Sequence, residues 1–220
     1  MHKPRESRYV PALGFHCLTP LYDTVVAATG RERTVKQALI RQAGLADGQA
    51  VLDLASGTGT LTIWIKQHQP QAEVTGLDGD PKILSMARRK AQKAKARVRF
   101  DHGFCEALPY PAGRFDRVFA SMFLHHLAWE AKQASVREMF RVLKPGAELH
   151  VADWGPAANP LMRGLFLTVQ LLDGFDNTRD HVQGRLIPLF VENGFAEVSQ
   201  TQAFNTMYGT IVLYSARKPD

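Results

Sequence analysis

Residues 50–59 read Ala-Val-Leu-Asp-Leu-Ala-Ser-Gly-Thr-Gly, and Asp78 closes the next apolar run. Val51, Leu52 and Leu54 suit a strand covered on both faces, because buried parallel strands show continuous apolar runs rather than alternation. Gly57 and Gly59 allow a sharp turn and bring bare backbone close to a ligand. A helix starting directly after them would point its free N–H groups at the same spot. A carboxylate at the end of the following strand, Asp78, can accept hydrogen bonds from ribose hydroxyls. Together these residues describe a site for a nucleotide-like cofactor at the carboxyl ends of parallel strands.

The rest of the middle segment alternates in the same way. Strands are expected at 50–54, Glu73–Leu77, Val98–Asp101, Phe115–Ala120 and Glu148–Asp153, and helices at 60–68, 81–95 and 130–143. Val136, Met139, Phe140 and Leu143 share one face of the last helix, and Leu143-Lys-Pro-Gly146 ends it. Repeated strand–helix units impose right-handed crossovers and a parallel sheet with helices on both sides. Around Ala196–Ala203 and Thr210–Ala216 two alternating runs follow one another without a helix. They read as a hairpin that places one antiparallel strand in the sheet. The expected fold is therefore α/β, Rossmann-like, with a seven-stranded, mostly parallel sheet.

Between strand 5 and the hairpin, Leu161, Met162, Leu165, Phe166, Val169 and Leu172 recur at helical spacing, with Leu167 and Leu171 on the other side. A helix apolar all round is expected to be covered on both sides, by the body and by a substrate pocket or a dimer partner. A second helix should end at Asn193-Gly194. Asp173, Asp176, Asp180 and Arg179 read as solvated. Residues 1–220 are taken as one domain, with 1–30 as an N-terminal arm or cap and 155–193 as a helical lid.

A chain of 220 residues buries roughly 70% of its unfolded surface in a single domain and needs no staples. Cys17 and Cys105 are too few and too far apart for a disulfide framework or a metal site, and read as reduced thiols of a cytoplasmic protein. No apolar core follows the basic N-terminal residues, so no signal peptide is expected. No run approaches the ~18 apolar residues of a spanning helix. The net charge is +6, and Lys82, Arg88, Arg89, Lys90, Lys93, Lys95, Arg97 and Arg99 cluster. With Ile83, Leu84, Ala87, Ala91 and Ala94 at helical spacing opposite them, they read as a solvated helix face rather than a nucleic-acid surface.

At this point the chain resembles the class I S-adenosylmethionine-dependent methyltransferases, and among them the small-molecule enzymes of ubiquinone and menaquinone biosynthesis. Val51–Gly59 is similar to the family's first motif, and Gly76-Leu-Asp-Gly-Asp-Pro81 to the acidic end of strand 2. Ala107–Asp116 resembles the segment leading into strand 4, Ser121-Met-Phe-Leu-His-His126 the turn after it, and Arg141-Val-Leu-Lys-Pro-Gly146 the turn into strand 5. The resemblance spans roughly residues 20–216.

It implies S-adenosyl-L-methionine as cofactor. Asp53, Ala55, Gly57 and Gly59 would hold its methionine part, Asp78 the ribose hydroxyls with Gly79 beside the adenine, and Phe104 and Cys105 would flank the adenine. Ser121 would lie beneath the sulfonium, and Tyr22 would cover the cofactor. Ala55 stands where many members have the first glycine. Phe104 stands where many have an aspartate, so the hydrogen bond to the adenine amino group would have to come from elsewhere or be replaced by stacking.

His125, His126 and Asp153 are the candidate catalytic residues, the histidines because imidazole titrates near neutrality and can take a proton from an acceptor. Asp153 qualifies because it sits at the carboxyl edge, where open α/β sheets bind ligands. A nicotinamide dehydrogenase is the rival reading, but its G-x-G-x-x-G fingerprint lacks a third glycine here, since Thr62 stands in that place. The expected reaction is in-line methyl transfer to a small apolar or aromatic acceptor, without a resident metal. The partners left open are a peripheral membrane surface and a second copy of the chain. A nucleic-acid methyltransferase and a non-catalytic cofactor-binding protein are the alternatives. Against the first stands Ser121-Met-Phe-Leu in place of an Asn/Asp-Pro-Pro-aromatic turn.

Overall fold

The structure is a computed structural model, and it describes residues 31–220. The N-terminal arm, Cys17 and Tyr22 lie outside the described residues. Its centre is β1 (Ala50–Leu54), in which every residue is buried. β2 (Glu73–Asp78) pairs with one side of it in parallel and β4 (Phe115–Ser121) with the other. β3 (Arg99–His102) extends the sheet beyond β2, and β5 (Leu143–Trp154) extends it beyond β4. The hairpin of β6 (Ala196–Thr206) and β7 (Gly209–Arg217) completes a seven-stranded sheet of order β3-β2-β1-β4-β5-β7-β6. β7 runs antiparallel to both of its neighbours, as the hairpin reading anticipates.

Side chains alternate across this sheet, so β1 feeds two cores. Leu52 and Leu54 join Val118, Ala120, Val136 and Met139 on one face. Val51 joins Leu39, Ile65, Phe119 and Trp154 on the other. Helix α1 (Glu32–Gln42), α2 (Thr60–His68) and α5 (Pro160–Asp173) contribute to the second core, and α4 (Trp129–Val142) and α7 (Leu186–Glu192) to the first. Between α2 and β3 lies α3 (Pro81–Lys93), with Leu84, Ala87 and Ala91 buried and its basic residues on the outer side. Its start follows from sequence chemistry: Asp80 accepts hydrogen bonds from the N–H groups of Lys82 and Ile83, and Pro81 occupies the first turn. Asn159 and Pro160 start α5 in the same way.

The structure revises the sequence reading in four places. β5 begins at Leu143 rather than Glu148, because Pro145-Gly146 forms a bulge inside the strand, with Gly146 at φ 71° and a register shift against β4. Helix α1, and α6 (Phe175–Val182), have no counterpart in the sequence reading. Among the described residues α5 is covered on one side only: Met162, Phe166, Val169 and Gln170 are buried, while Leu161, Leu171 and Leu172 are exposed. Asp180 is buried, with its carboxylate 2.6 Å from the Nζ of the fully buried Lys132, and Asp173 is largely covered; only Asp176 and Arg179 are solvated. No helix among the described residues is long and apolar enough to cross a membrane.

Because Leu52 contributes a fully buried side chain to the central strand, Leu52→Ala should cost about 3 kcal/mol. Differential scanning calorimetry should show the melting temperature falling by about 6–12 °C.

Candidate functional site

The strand order reverses at β1, since the chain moves outward through β2 and β3 and then returns to lay β4 on the other side. Connections leave β1 and β4 in opposite directions, and a crevice opens at their carboxyl ends. Leu54, Asp78, Ser121 and Trp154 end their strands on this one edge.

The turn after β1 is wound by positive φ angles at Ala55 (54°), Gly57 (54°) and Gly59 (77°). Ala55 carries the strain of a left-handed non-glycine residue, and a Cβ on Gly57 would meet nothing within 4 Å among the described residues, so this backbone is open to a ligand from their side. Gly59 is closed: a Cβ there would come 2.7 Å from Phe100. Gly59 directly precedes α2, whose first turn is free of acidic residues and leaves its N–H groups to an anionic or polar ligand.

Asp78 shapes the adjoining wall. Its carboxylate accepts from the Gly57 N–H at 2.9 Å and the Asp80 N–H at 3.0 Å. Burial raises its pKa, and those N–H bonds offset only part of the rise. Phe104, 43% exposed, lies against Gly79, where an added Cβ would sit 3.2 Å from its ring. It offers an aromatic face next to Asp78, suited to stacking. The Cys105 thiol donates to Glu106, packs on the core, and is pushed up to about 12 by burial.

Asp53 is fully buried, and its Oδ2 accepts from Thr62 Oγ1 at 2.6 Å. Thr62 is the residue that replaces the third glycine, and it serves this carboxylate with both its hydroxyl and its backbone N–H. Burial lifts Asp53 to about 6 despite Thr62 and the more distant Lys36. A carboxylate so short of donors is a seat for a cationic ligand group. Among the described residues Ser56 Oγ and Ser121 Oγ are buried without hydrogen-bond partners, and native structures rarely leave such atoms unserved. Asp53, Gly57, Asp78, Phe104 and Ser121 thus fit a cofactor with an ammonium group, a ribose and a heterocycle.

A second cluster lies along the same edge. Asp153 on β5 accepts from the N–H groups of Leu124, Phe123 and Trp154, and its Oδ1 lies 2.7 Å from His125 Nδ1. Burial opposes its ionisation, but His125, His181 and these donors outweigh burial and hold Asp153 well below the usual carboxylate range. His181 donates from Nδ1 to the Trp154 carbonyl at 2.8 Å, and burial depresses its pKa. Its Nε2 has no hydrogen-bond partner among the described residues. His125 is 1% exposed, whereas His126 reaches solvent at one edge and is held neutral by burial and by the neighbouring His125 ring. Asp173 covers both histidines from the end of α5, at 3.7 Å from each. Sequence reasoning missed Thr62, Asp173 and His181 as site residues: their placement depends on which helices fold over the edge.

Residues 51–146 match the family model of a methyltransferase domain. The chain is 34% identical over 154 residues to the demethylmenaquinone methyltransferase of Deinococcus radiodurans, an alignment covering 69% of this chain and 63% of that protein. The chain therefore spans less than two thirds of that relative's length. To the ubiquinone/menaquinone biosynthesis C-methyltransferase UbiE of Shewanella woodyi it is 28% identical over 227 residues, covering 93% of this chain and 88% of the relative. The crystal structure of the S-adenosylmethionine-dependent methyltransferase SibL in its apo form superposes with a TM-score of 0.73 at 22% identity. That match covers 96% of this chain and 60% of SibL, and it establishes the fold.

The raised pKa of Asp53 makes its charged form a liability in the empty site. Its folded value, about 6, lies above its ordinary 3.8, so the penalty is absent below pH 4, grows through pH 6 and is constant above. Asp53→Asn, which keeps an acceptor for Thr62, should stabilise the ligand-free protein by about 2 kcal/mol at pH 8 and by nothing at pH 4. Thermal melts at the two pH values measure the difference.

Proposed function

We infer that the chain belongs to the methyltransferase-domain family whose model its residues 51–146 match, and propose that it transfers the methyl group of S-adenosyl-L-methionine to a small apolar or aromatic acceptor. The observation that carries this reading is the cradle at the β1–β4 switch. There a buried, donor-poor Asp53, an open Gly57 backbone and Asp78 with exposed Phe104 beside it converge. Asp53 would hold the ammonium of the methionine part, Asp78 the ribose hydroxyls, and Phe104 would stack on the adenine.

When bound, the cofactor supplies an electrophilic methyl carbon on a sulfonium sulfur. The chain's part is to align an acceptor with it and to exclude water. Asp153 acts as a positioning residue: it is spent on backbone N–H groups and on His125, and it fixes the turn that carries Ser121 and both histidines. His125 is too deeply covered to meet an acceptor in this arrangement, and His126, held neutral by burial, is a weak proton acceptor. These properties favour an acceptor that arrives already activated, as an ionised phenol, an enol or a thiolate does. The apolar residues of α5 and the printed activities of the two relatives support a hydroquinone-like acceptor.

The test is the release of S-adenosylhomocysteine with reduced quinones, phenols, thiols and RNA as acceptors. Release is expected with a small aromatic acceptor, and Asp78→Ala should raise the KM for the methyl donor at least tenfold. Methylation of RNA alone would overturn the assignment.

A further inference from the structure

The sequence offers no metal site, yet His125, His126 and Asp173 bring three donor atoms within 4.8 Å of one another. We infer that they form a binding site for a divalent first-row transition metal ion. Asp173 Oδ2 lies 3.7 Å from His125 Nε2, and Asp173 Oδ1 lies 3.7 Å from His126 Nδ1. Both separations are too long for hydrogen bonds. Donors around a zinc-like ion at ~2.1 Å stand roughly 3–3.5 Å apart, so shifts of about an ångström close the site.

Two further observations point to a cation. First, Asp153 takes the Nδ1–H of His125 at 2.7 Å and is itself fixed by backbone N–H groups. That leaves Nε2 as the ring nitrogen turned toward Asp173, the arrangement in which metal-bound histidines are held by a carboxylate behind them. Second, His125 Nε2 faces the Asp173 carboxylate, which among the described residues has no Lys or Arg partner within 4 Å. The carboxylate and the ring nitrogen stand too far apart to hydrogen-bond each other at a largely covered position, and an ion between them would join the two as ligands.

Two imidazoles and one carboxylate favour zinc, cobalt or iron(II) over magnesium or calcium. Three protein ligands leave coordination positions for water or an oxygen of a bound molecule. His126 reaches solvent and Asp173 is 11% exposed, which provides an entry path.

The experiment is titration of the chelator-treated full chain with Co2+, followed by visible absorption and competition with Zn2+. Asp173→Asn and His126→Gln should each weaken binding at least tenfold, while His68→Gln, an exposed histidine on α2, should not. In the unsubstituted protein, Co2+ should also produce a hyperfine-shifted imidazole N–H proton signal from the Asp153-shielded Nδ1 of His125. That signal keeps the inference testable even where a variant folds poorly. Absence of the signal at saturating Co2+, equal affinity in all variants, or no binding at about 100 µM Co2+ would overturn the inference and leave a proton shared between His125 and Asp173. Calorimetric titration with S-adenosylmethionine in parallel separates the two sites: cofactor binding without metal binding defeats this inference alone.

Discussion

A strand buried on both faces, with parallel neighbours whose connections leave in opposite directions, is the constraint on which the rest of this molecule depends. β1 has no solvent-facing residue, so its register is fixed by apolar packing on two sides at once. Its two neighbours share its direction, and therefore all three carboxyl ends fall on one edge. The crevice there is a product of topology before any side chain is considered. The hydrogen bond from Thr62 to Asp53 then ties the first turn of α2 to the body of β1.

Two buried aspartates on that edge show how one fold sets opposite electrostatic roles. Asp53 has few donors, and desolvation dominates, raising its pKa to about 6. Asp153 is equally inaccessible, but it collects backbone N–H groups and a histidine, and it stays ionised far below the usual range. The first is unsatisfied without a ligand, which suits binding. The second is satisfied by the protein itself, which suits holding other groups in place.

Most of the sheet was legible because continuous apolar runs and glycine turns are local signals. β1 and α2 fall where the sequence places them, and so do Asp53, Gly57 and Asp78. The missing pieces have physical reasons. Helix α6 buries Thr178, Asp180 and His181 rather than an apolar stripe, so hydrophobic periodicity is silent there. The early start of β5 depends on a bulge at Gly146 that a Pro-Gly pair disguises as a plain turn. Asp173 and Asp180 look like surface charges in sequence. Their partners, His125 and Lys132, lie far away in the chain, and only the packing of α5 and α6 brings them together.

In the proposed function Asp53 is the ionised seat of the methyl donor's ammonium group. The most direct test is the affinity for S-adenosylmethionine between pH 5 and pH 8, measured by isothermal titration calorimetry. Pairing with a cation requires the carboxylate, so the dissociation constant should be level above about pH 6.5. It should then rise toward tenfold per pH unit below pH 6, and Asp53→Asn should abolish that dependence. An affinity that is flat across the range, or equally pH-dependent in the variant, would contradict the account.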